Sequence, residues 1–309
     1  MTQLFSLLPK LAWLIIGAVL ILLGLGLLIW VFIDGHRGKG EPAHTREVPS
    51  KPRAKGPVWY GISAIGDRAT QQDCMIIPDG TLPQQLLLER GLLTIVCDGM
   101  GGMEGGERAS RTCAEHLYKT FYGGMPVSPA EFFRRRIPEA DAAVSALKGE
   151  GGKPLHGGTT VVTTIVKDGR LYWASVGDSR IYLYRRGMLQ QLTRDHNYFL
   201  TLMEKVRRGE ISEIEAHTHP QKEALISYVG MGELEILDIE QEGILLQPGD
   251  IAVLCSDGVY KALADNEIAA VLETYAANPA DLPAALVNTA LAKTWMKHDN
   301  TTVAIVKYE

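Results

Sequence analysis

The sequence is poor in cysteine, and its cysteines show no pairing pattern. It has only four cysteines in 309 residues, with no CxxC pair among them: Cys74, Cys97, Cys113 and Cys255. None begins a Cys-x5-Arg loop, which argues against the thiol chemistry of tyrosine phosphatases. The spacing favours reduced residues in a hydrophobic core over disulfides or a zinc site.

An excess of positive charge is also missing. The formal net charge of the chain is −5. Basic residues outnumber acidic residues over 1–57, so residues 58–309 carry a net charge of −9. Such an acidic region argues against nucleic acid as a partner and against a nuclease, and it suits cation binding. With 46% hydrophobic residues, the chain can still form one sizeable globular core.

The features of a cleaved secretory signal are missing at the N-terminus, although a long apolar run is present. Residues 11–33 contain no charged side chain and, at about 1.5 Å per residue, are long enough to cross about 30 Å of hydrocarbon. A short apolar core, a basic start and a small-residue cleavage site are not found. We therefore predict a single transmembrane helix, with Trp13 and Trp30 near the membrane interfaces.

The residues after this run predict its orientation. The segment 34–57 is rich in basic residues and carries a net charge of +3, whereas only Lys10 precedes the run. Positive residues that flank a membrane helix stay in the cytoplasm, so we expect a single-pass inner-membrane protein with a cytoplasmic C-terminal domain. The predicted organisation is an anchor over 1–33, a basic Pro/Gly linker over 34–57 and one domain over 58–309.

Hydrophobic periodicity in this domain indicates α+β structure with antiparallel sheets. Apolar strands are predicted over 59–65, 92–96, 236–239, 251–255 and 302–306. Helices are predicted over 107–121, 130–147, 265–275 and 281–295. Between 160 and 192, short strands separated by Asp168-Gly169 and Arg186-Gly187 indicate one antiparallel meander. Residues 196–230 are polar and weakly helical, which is typical of an inserted flap.

Four aspartates lie beside small or turn-forming residues near the predicted strand ends. They occur in Gln72-Asp73, Asp98-Gly99-Met100-Gly101-Gly102, Ser256-Asp257-Gly258 and Asp299-Asn300. Glycines after a carboxylate let backbone carbonyls approach a cation, although Asp-Gly alone also fits an ordinary turn. Carboxylates gathered in this way can hold a pair of hard divalent cations.

The order of these motifs resembles the protein phosphatase 2C (PPM) family of metal-dependent serine/threonine phosphatases, bacterial type. The resemblance spans roughly residues 60 to 308, and its stretches are Gly66-Asp67-Arg68 through Asp73, Val96 to Gly102 with Gly106-Glu107 and Ala109-Ser110, Gly158-Thr159-Thr160, Gly177-Asp178-Ser179-Arg180, Cys255-Ser256-Asp257-Gly258 and Asp299-Asn300-Thr301-Thr302. It implies a four-layer α-β-β-α sandwich, two antiparallel sheets flanked by helices, after the transmembrane helix.

The resemblance also implies a site with two ions, Mn²⁺ or Mg²⁺. Asp98 would bridge the two ions, and the Gly99 carbonyl would ligate one of them. Asp257 and Asp299 would ligate the other, and Asp73 would hold water on the metal. Two such ions can activate a water and stabilise charge on a phosphoryl group.

Arg68 matches the phosphate-binding arginine of the family, since a guanidinium fork fits two phosphate oxygens. The alternative for Arg68 is a surface salt bridge. The expected substrates are phosphoserine and phosphothreonine proteins modified by a serine/threonine kinase. A non-catalytic, membrane-tethered scaffold that binds phosphoproteins is the alternative function, and retention of all four aspartates argues against it.

The sequence departs from the family pattern at three places. Met100 stands where many members carry a histidine as candidate general acid, and Gln72 stands where a glutamate is common. Residues 153–156 (KPLH) lack the acid that bacterial members use for a third metal, so a third ion is doubtful. Asp178 is assigned a structural turn role. The spacing of His217 and His219 allows a zinc alternative, but no second ligand pair accompanies it.

Overall fold

The computed structural model describes residues 56–101 and 105–309. The predicted anchor over 11–33 and nearly all of the linker lie outside these residues. In the part of the chain that the structure describes, no helix is long and apolar enough to cross a membrane.

The described residues form strands and helices with the following bounds. The strands are β1 (Pro57–Ala64), β2 (Cys74–Ile76), β3 (Leu92–Cys97), β4 (Gly99–Gly101), β5 (Gly157–Thr159), β6 (Val161–Lys167), β7 (Arg170–Val176), β8 (Arg180–Arg185), β9 (Met188–Gln191), β10 (Asp238–Ile239), β11 (Ile244–Leu245), β12 (Ile251–Cys255) and β13 (Thr301–Tyr308). The helices are α1 (Gln84–Arg90), α2 (Gly105–Gly123), α3 (Pro129–Ser145), α4 (Tyr198–Arg207), α5 (Glu213–Thr218), α6 (Asp257–Tyr260), α7 (Asp265–Tyr275) and α8 (Leu282–Leu291).

Two antiparallel sheets form the centre of the domain. The first has the strand order β1-β13-β12-β8-β9, and the second has the order β10-β7-β6-β3-β2, with β11 also paired to β7. In the first sheet, the last strand of the chain lies between β1 and β12, with Ala64 opposite Thr301 and Cys255 opposite Val303. This register brings the ends of β1, β12 and β13 to the same edge.

The side chains of β3 show how the layers pack. Leu93 and Ile95 contact the helices α2 and α3, whereas Leu92 and Val96 face the other sheet. Because successive side chains of a strand point to opposite faces, a strand covered on both faces is apolar throughout, and every residue of β3 is buried. On the other side, Val253 of β12 packs against α7 and α8. The layers are therefore helices, sheet, sheet and helices.

This architecture confirms the predicted α+β sandwich with antiparallel sheets, but the single meander over 160–192 was wrong. Strands β6 and β7 form a hairpin in the second sheet, whereas β8 and β9 form a hairpin in the first. The chain passes between the sheets at Gly177, whose φ of 98° is in the region that favours glycine. Strand periodicity does not reveal which sheet a hairpin joins.

The predicted helix over 281–295 was too long. Helix α8 ends at Leu291, and the following residues form a loop in which Lys293 pairs with Glu267 of α7. Met296 packs against the core between the first sheet and its helices. These tertiary contacts hold the loop in a non-helical path. The predicted strand over 236–239 was longer than the observed β10, which comprises only Asp238–Ile239. The short elements β2, β4, β5, β11, α1 and α6 were not predicted.

Candidate active site

A cleft of about 360 Å³ lies where the loops after β3 and β12 meet the loop before β13. It brings together residues that are far apart in the sequence. Five of the six predicted site residues line it: Arg68, Asp98, Gly99, Asp257 and Asp299. Asp73 is buried, with 8% of its surface exposed, and is not part of the lining.

Asp98 is held at the end of β3 by its own backbone. Its N–H donates to the Thr160 hydroxyl at 3.0 Å, and its carbonyl accepts from the Thr160 N–H and the Thr159 hydroxyl, both at 2.9 Å. The two threonines, which belong to the Gly158-Thr159-Thr160 stretch of the family resemblance, thus fix the backbone of the central aspartate. The Asp98 carboxylate remains directed to the cleft lining.

The glycine after Asp98 is required by close packing of backbones. A Cβ at Gly99 would lie 2.2 Å from the Gly106 carbonyl oxygen and 2.5 Å from the Gln72 carbonyl oxygen. The Gly99 N–H also donates to the Gln72 carbonyl at 3.2 Å. Any side chain here would displace the start of α2 or the Gln72 loop.

Asp73 lies behind the cleft in a pocket of hydroxyl groups. Its Oδ2 accepts from the Ser256 hydroxyl at 2.8 Å and the Thr302 hydroxyl at 2.6 Å. Its Oδ1 is buried and has no hydrogen-bond partner among the described residues. Burial raises the pKa of Asp73 to about 6, and the charges of Asp257 and Asp299 add to this effect although both hydroxyl bonds oppose it. Ser256 and Thr302 belong to two stretches of the family resemblance, but the sequence predicted no role for them.

Arg68 and Asp299 form an ion pair at the edge of the cleft. The hydrogen bond that Arg68 donates to the Asp299 carboxylate raises the pKa of the guanidinium. Asn300 fixes this region, since its Oδ1 accepts from the Gln72 N–H at 2.7 Å. The structure therefore shows the surface salt bridge that was the alternative for Arg68, and it also places the guanidinium in the cleft lining.

Asp257 begins the short helix α6 and pairs with a lysine that the sequence analysis missed. Lys261 Nζ donates to Asp257 Oδ2 at 2.6 Å, while Asp257 Oδ1 is buried without a hydrogen-bond partner among the described residues. Burial opposes the charge of Lys261, but the nearby carboxylates outweigh it and raise the lysine pKa. The signal was available, because positions four apart on a helix are neighbours.

Asp178 was predicted to have only a structural turn role, yet it lines the cleft with Glu223 and Leu225 of the flap. Burial raises the pKa of Asp178 to about 6, and the charge of Asp257 adds to this. No regular spacing connects positions 178 and 223 to the other acids. Their position follows from the crossing between sheets and from the path of the flap.

The flap histidines take part in ring contacts. The ring of His217 lies 4.9 Å from that of Phe199, and the ring of His219 lies 5.2 Å from that of Tyr198. His196, at the start of the flap, is fully buried and accepts from the Gly177 N–H at 3.1 Å through Nδ1.

The residues of the cleft fit divalent cations and an anionic group. Burial, together with the charges of Asp73 and Asp257, raises the pKa of Asp98 well above its usual range, so the carboxylates repel one another. Two buried carboxylate oxygens lack hydrogen-bond partners, and hard oxygens are the ligands of Mg²⁺ and Mn²⁺. Within 56–101 and 105–309, no three His, Cys, Asp or Glu side chains are arranged as a ready single-ion site. The fold and cleft therefore fit the class of proteins that bind divalent cations together with an anionic group.

Comparisons with known proteins identify the family. The family model for protein phosphatase 2C matches residues 66–207. The serine/threonine phosphatase stp of Listeria monocytogenes is 33% identical over 188 residues, which cover 59% of this chain and 72% of the relative.

Solved structures agree with this match. The serine/threonine phosphatase of S. agalactiae shares 27% sequence identity with a TM-score of 0.67, and the match covers 82% of this chain and 100% of that one. The catalytic domain of PstP in complex with two manganese ions shares 25% identity with a TM-score of 0.64, over 82% of this chain and 98% of that one.

The chain therefore belongs to the protein phosphatase 2C family, and it is a protein-serine/threonine phosphatase. Members of this family depend on metal ions. The predicted family and enzyme class are confirmed.

Proposed function

We propose that this phosphatase hydrolyses its phosphoesters with two divalent cations, Mn²⁺ or Mg²⁺, in the cleft. Asp98 would contact both ions, Gly99 would offer its carbonyl to one, and Asp257 and Asp299 would ligate the other. The buried Oδ1 of Asp257, which lacks a hydrogen-bond partner among the described residues, is the observation that carries this proposal. A cation held by one or two of these side chains would complete its shell with backbone carbonyls and water, so it would need no trio of acidic side chains.

Each residue has a separate task in this mechanism. The two ions would lower the pKa of a water and neutralise charge on the phosphoryl group, so that hydrolysis needs no phosphoenzyme. Asp73 would hold and orient that water, since its Oδ2 is fixed by two hydroxyl groups. Arg68 would bind two oxygens of the substrate phosphate. Met100 has no proton to donate, so the leaving group takes its proton from water or another side chain.

The Arg68–Asp299 pair links metal binding to phosphate binding. One Asp299 oxygen cannot be shared freely between a guanidinium and a cation, because the two positive charges repel. Arg68 is 54% exposed in its side chain, so it can leave Asp299 without crossing packed residues. Occupation of Asp299 by a cation would therefore favour an Arg68 directed to the substrate.

The test is a phosphatase assay of the full chain in detergent on phosphoserine and phosphothreonine peptides. We expect activity with Mn²⁺ or Mg²⁺, loss of activity after chelation, and recovery when either ion is added. Undiminished hydrolysis after complete chelation would contradict the two-ion mechanism. A chain that binds phosphopeptides without hydrolysing them would support the scaffold alternative.

We propose further that residues 11–33 anchor the protein in the inner membrane as a single pass, with the phosphatase domain in the cytoplasm beside a serine/threonine kinase and its substrates. The support is the uncharged run and the basic segment that follows it. A pair of reporters fused after residue 309, one active only in the cytoplasm and one only outside, tests the orientation. External signal alone, or a mature chain that begins after residue 33, would contradict it.

A further inference from the structure

Two loops at the edge of the cleft carry exposed apolar side chains beside cleft residues. We name residues 65–72 and 292–300 the rim loops. Ile65 is 44% exposed and lies three residues before Arg68, and Trp295 is 69% exposed and lies four residues before Asp299. Each rim loop thus presents one apolar side chain close in sequence to one member of the Arg68–Asp299 pair.

Hydrogen bonds hold the rim loops together. The Asn300 side-chain amide donates to the Ile65 carbonyl at 2.9 Å and to the Thr70 carbonyl at 3.1 Å. The Asp67 N–H donates to the His298 carbonyl at 3.0 Å, and the His298 N–H donates to Asp67 Oδ2 at 2.8 Å. The rim loops therefore have a fixed position relative to each other and to the cleft.

The neighbours of Trp295 are anchored, but its own indole is not covered. Lys293 pairs with Glu267, and Met296 packs against the core beside α8. Trp295 lies between these two anchors with most of its side chain in solvent. A tryptophan on a fixed loop supplies large apolar contact area at low entropic cost, which is why such residues dominate binding surfaces.

We propose that Trp295, with Ile65, forms a subsite for an apolar side chain of the phosphorylated polypeptide. The four residues from Trp295 to Asp299 span at most about 14 Å, and an extended peptide rises about 3.3 Å per residue. The apolar side chain would therefore lie within about four residues of the phosphorylated one. The inference rests on the proposed phosphatase mechanism and adds a substrate preference to it.

A bilayer is the other surface that could receive an exposed tryptophan. We favour the substrate chain because both apolar side chains belong to the hydrogen-bonded loops that carry Arg68 and Asp299, which places them within a few residues of the proposed phosphate site. A membrane contact would need no such link to the cleft. Lipid binding is an outcome of the test below.

The test compares the full chain with its Trp295→Ala variant in detergent. The substrates are p-nitrophenyl phosphate, which is too small to reach beyond the phosphate site, and phosphopeptides with leucine or serine at each position up to four residues from the phosphoserine. We expect kcat/KM for the best leucine peptide, relative to p-nitrophenyl phosphate, to fall about tenfold, mainly through KM. The preference for leucine over serine should disappear.

Two further variants control the comparison. Leu88 on α1 is as exposed as Trp295, at 73%, and lies outside the rim loops, so Leu88→Ala should leave the ratio unchanged. Trp295→Phe keeps an aromatic ring and should retain most of the leucine preference. Trp295→Ala could lose activity on the phosphopeptides and on p-nitrophenyl phosphate alike. In that case the Trp295→Phe variant decides: a retained preference for leucine supports the subsite, and a lost preference overturns it.

The remaining outcomes are distinct. An unchanged ratio in an active Trp295→Ala enzyme would overturn the subsite alone. Weaker binding of that variant to phosphatidylglycerol vesicles, with an unchanged ratio, would assign the surface to lipid and also overturn the proposal. A parent chain that hydrolyses no substrate with Mn²⁺ or Mg²⁺ would contradict the proposed function itself, and the subsite with it.

Discussion

Aspartates occur in two different settings in this protein. Away from the cation site, three of them each receive two hydrogen bonds from one arginine: Asp195 from Arg180, Asp238 from Arg194 and Asp250 from Arg185. In the cleft and directly behind it, five aspartates lie near two cationic side chains: Asp73, Asp98, Asp178, Asp257 and Asp299 with Arg68 and Lys261.

The two groups of aspartates differ in how their negative charge is balanced. A buried carboxylate with a bidentate arginine is neutralised locally, and Asp250 can be 2% exposed for this reason. The cleft carboxylates instead raise one another's pKa and leave buried oxygens without hydrogen-bond partners in the described part of the chain. That arrangement costs stability when no cation is bound. Such unbalanced charge is typical of functional sites and supports the proposed role of these aspartates.

The largest effect is expected from Asp98→Asn, which removes the charge that the two ions would share. Activity should fall by more than the 10- to 100-fold that is typical when a residue behind the metal ligands is changed. Metal affinity should fall with it, as isothermal titration can measure. The metal-free variant should be at least as stable as the parent, because one repelling charge is gone.

Asp250→Asn is the matched control for this substitution. It removes an aspartate whose arginine would stay behind unpaired, so it should lower the free energy of unfolding while the folded fraction keeps its metal affinity and activity. Equal metal affinity and turnover in Asp98→Asn and the parent would contradict the assignment of Asp98.

A smaller effect is expected from Arg68, whose proposed partner is the substrate phosphate. Arg68→Lys keeps the positive charge but loses the planar fork, and we expect kcat/KM to fall by about 10- to 100-fold, which corresponds to about 1.4 to 2.7 kcal/mol. Arg68→Ala should lower kcat/KM further, and metal affinity should be nearly unchanged in both variants. Steady-state kinetics on one phosphopeptide measure the effect.

Arg194→Ala provides the comparison, because its side chain has the same 54% exposure as that of Arg68 and also pairs with an aspartate. We expect it to change stability rather than KM. Phosphopeptide kinetics that are the same in Arg68→Ala and the parent would rule out the phosphate-binding role.

The smallest effect concerns the pH dependence of a structural aspartate. Burial would raise the pKa of Asp238, but hydrogen bonds from His196 and Arg194 outweigh it and hold this pKa well below its ordinary value. Because the folded pKa is the lower one, Asp238 contributes its full stabilisation above about pH 4, and the contribution declines as the pH falls below that value. Asp238→Asn should lower the free energy of unfolding by about 1–2 kcal/mol at pH 7.

Urea unfolding between pH 7 and pH 3 measures this dependence. The deficit of Asp238→Asn should stay constant down to about pH 5 and shrink below about pH 4. Glu233→Gln, which changes an exposed acid, should show no such trend. A deficit that grows on acidification would contradict the assigned direction of the pKa shift.

The sequence predicted most of the longer helices and strands, because the spacing of apolar residues along the chain follows from the geometry of each element. The predicted helix over 265–275 has the observed bounds of α7, and the strand over 251–255 has those of β12. The aspartate motifs and Arg68 also predicted five residues of the cleft lining, whereas Asp73 lies behind it. The ends of strands can be predicted from a sequence because glycine and aspartate often follow an apolar run.

The sequence could not predict partners that depend on the path of the chain through space. Lys261 was missed although it is four residues from Asp257. Asp178 was predicted to have a turn role because it follows a strand of the predicted meander, a position that does not reveal its place in the cleft. The hydroxyls that hold Asp73 come from β13 and from the loop after β12, about 180 to 230 residues away. Only packing of the two sheets brings them together.

The sequence by itself determined the family, the sandwich of antiparallel sheets and the identity of most aspartates in and behind the cleft, because short motifs and apolar periodicity are local properties. The tertiary structure alone decided which hairpin belongs to which sheet, where α8 ends, and which carboxylates remain without an arginine. These features depend on contacts between residues distant in sequence, and the electrostatics of the cleft follow from burial, which no local pattern records.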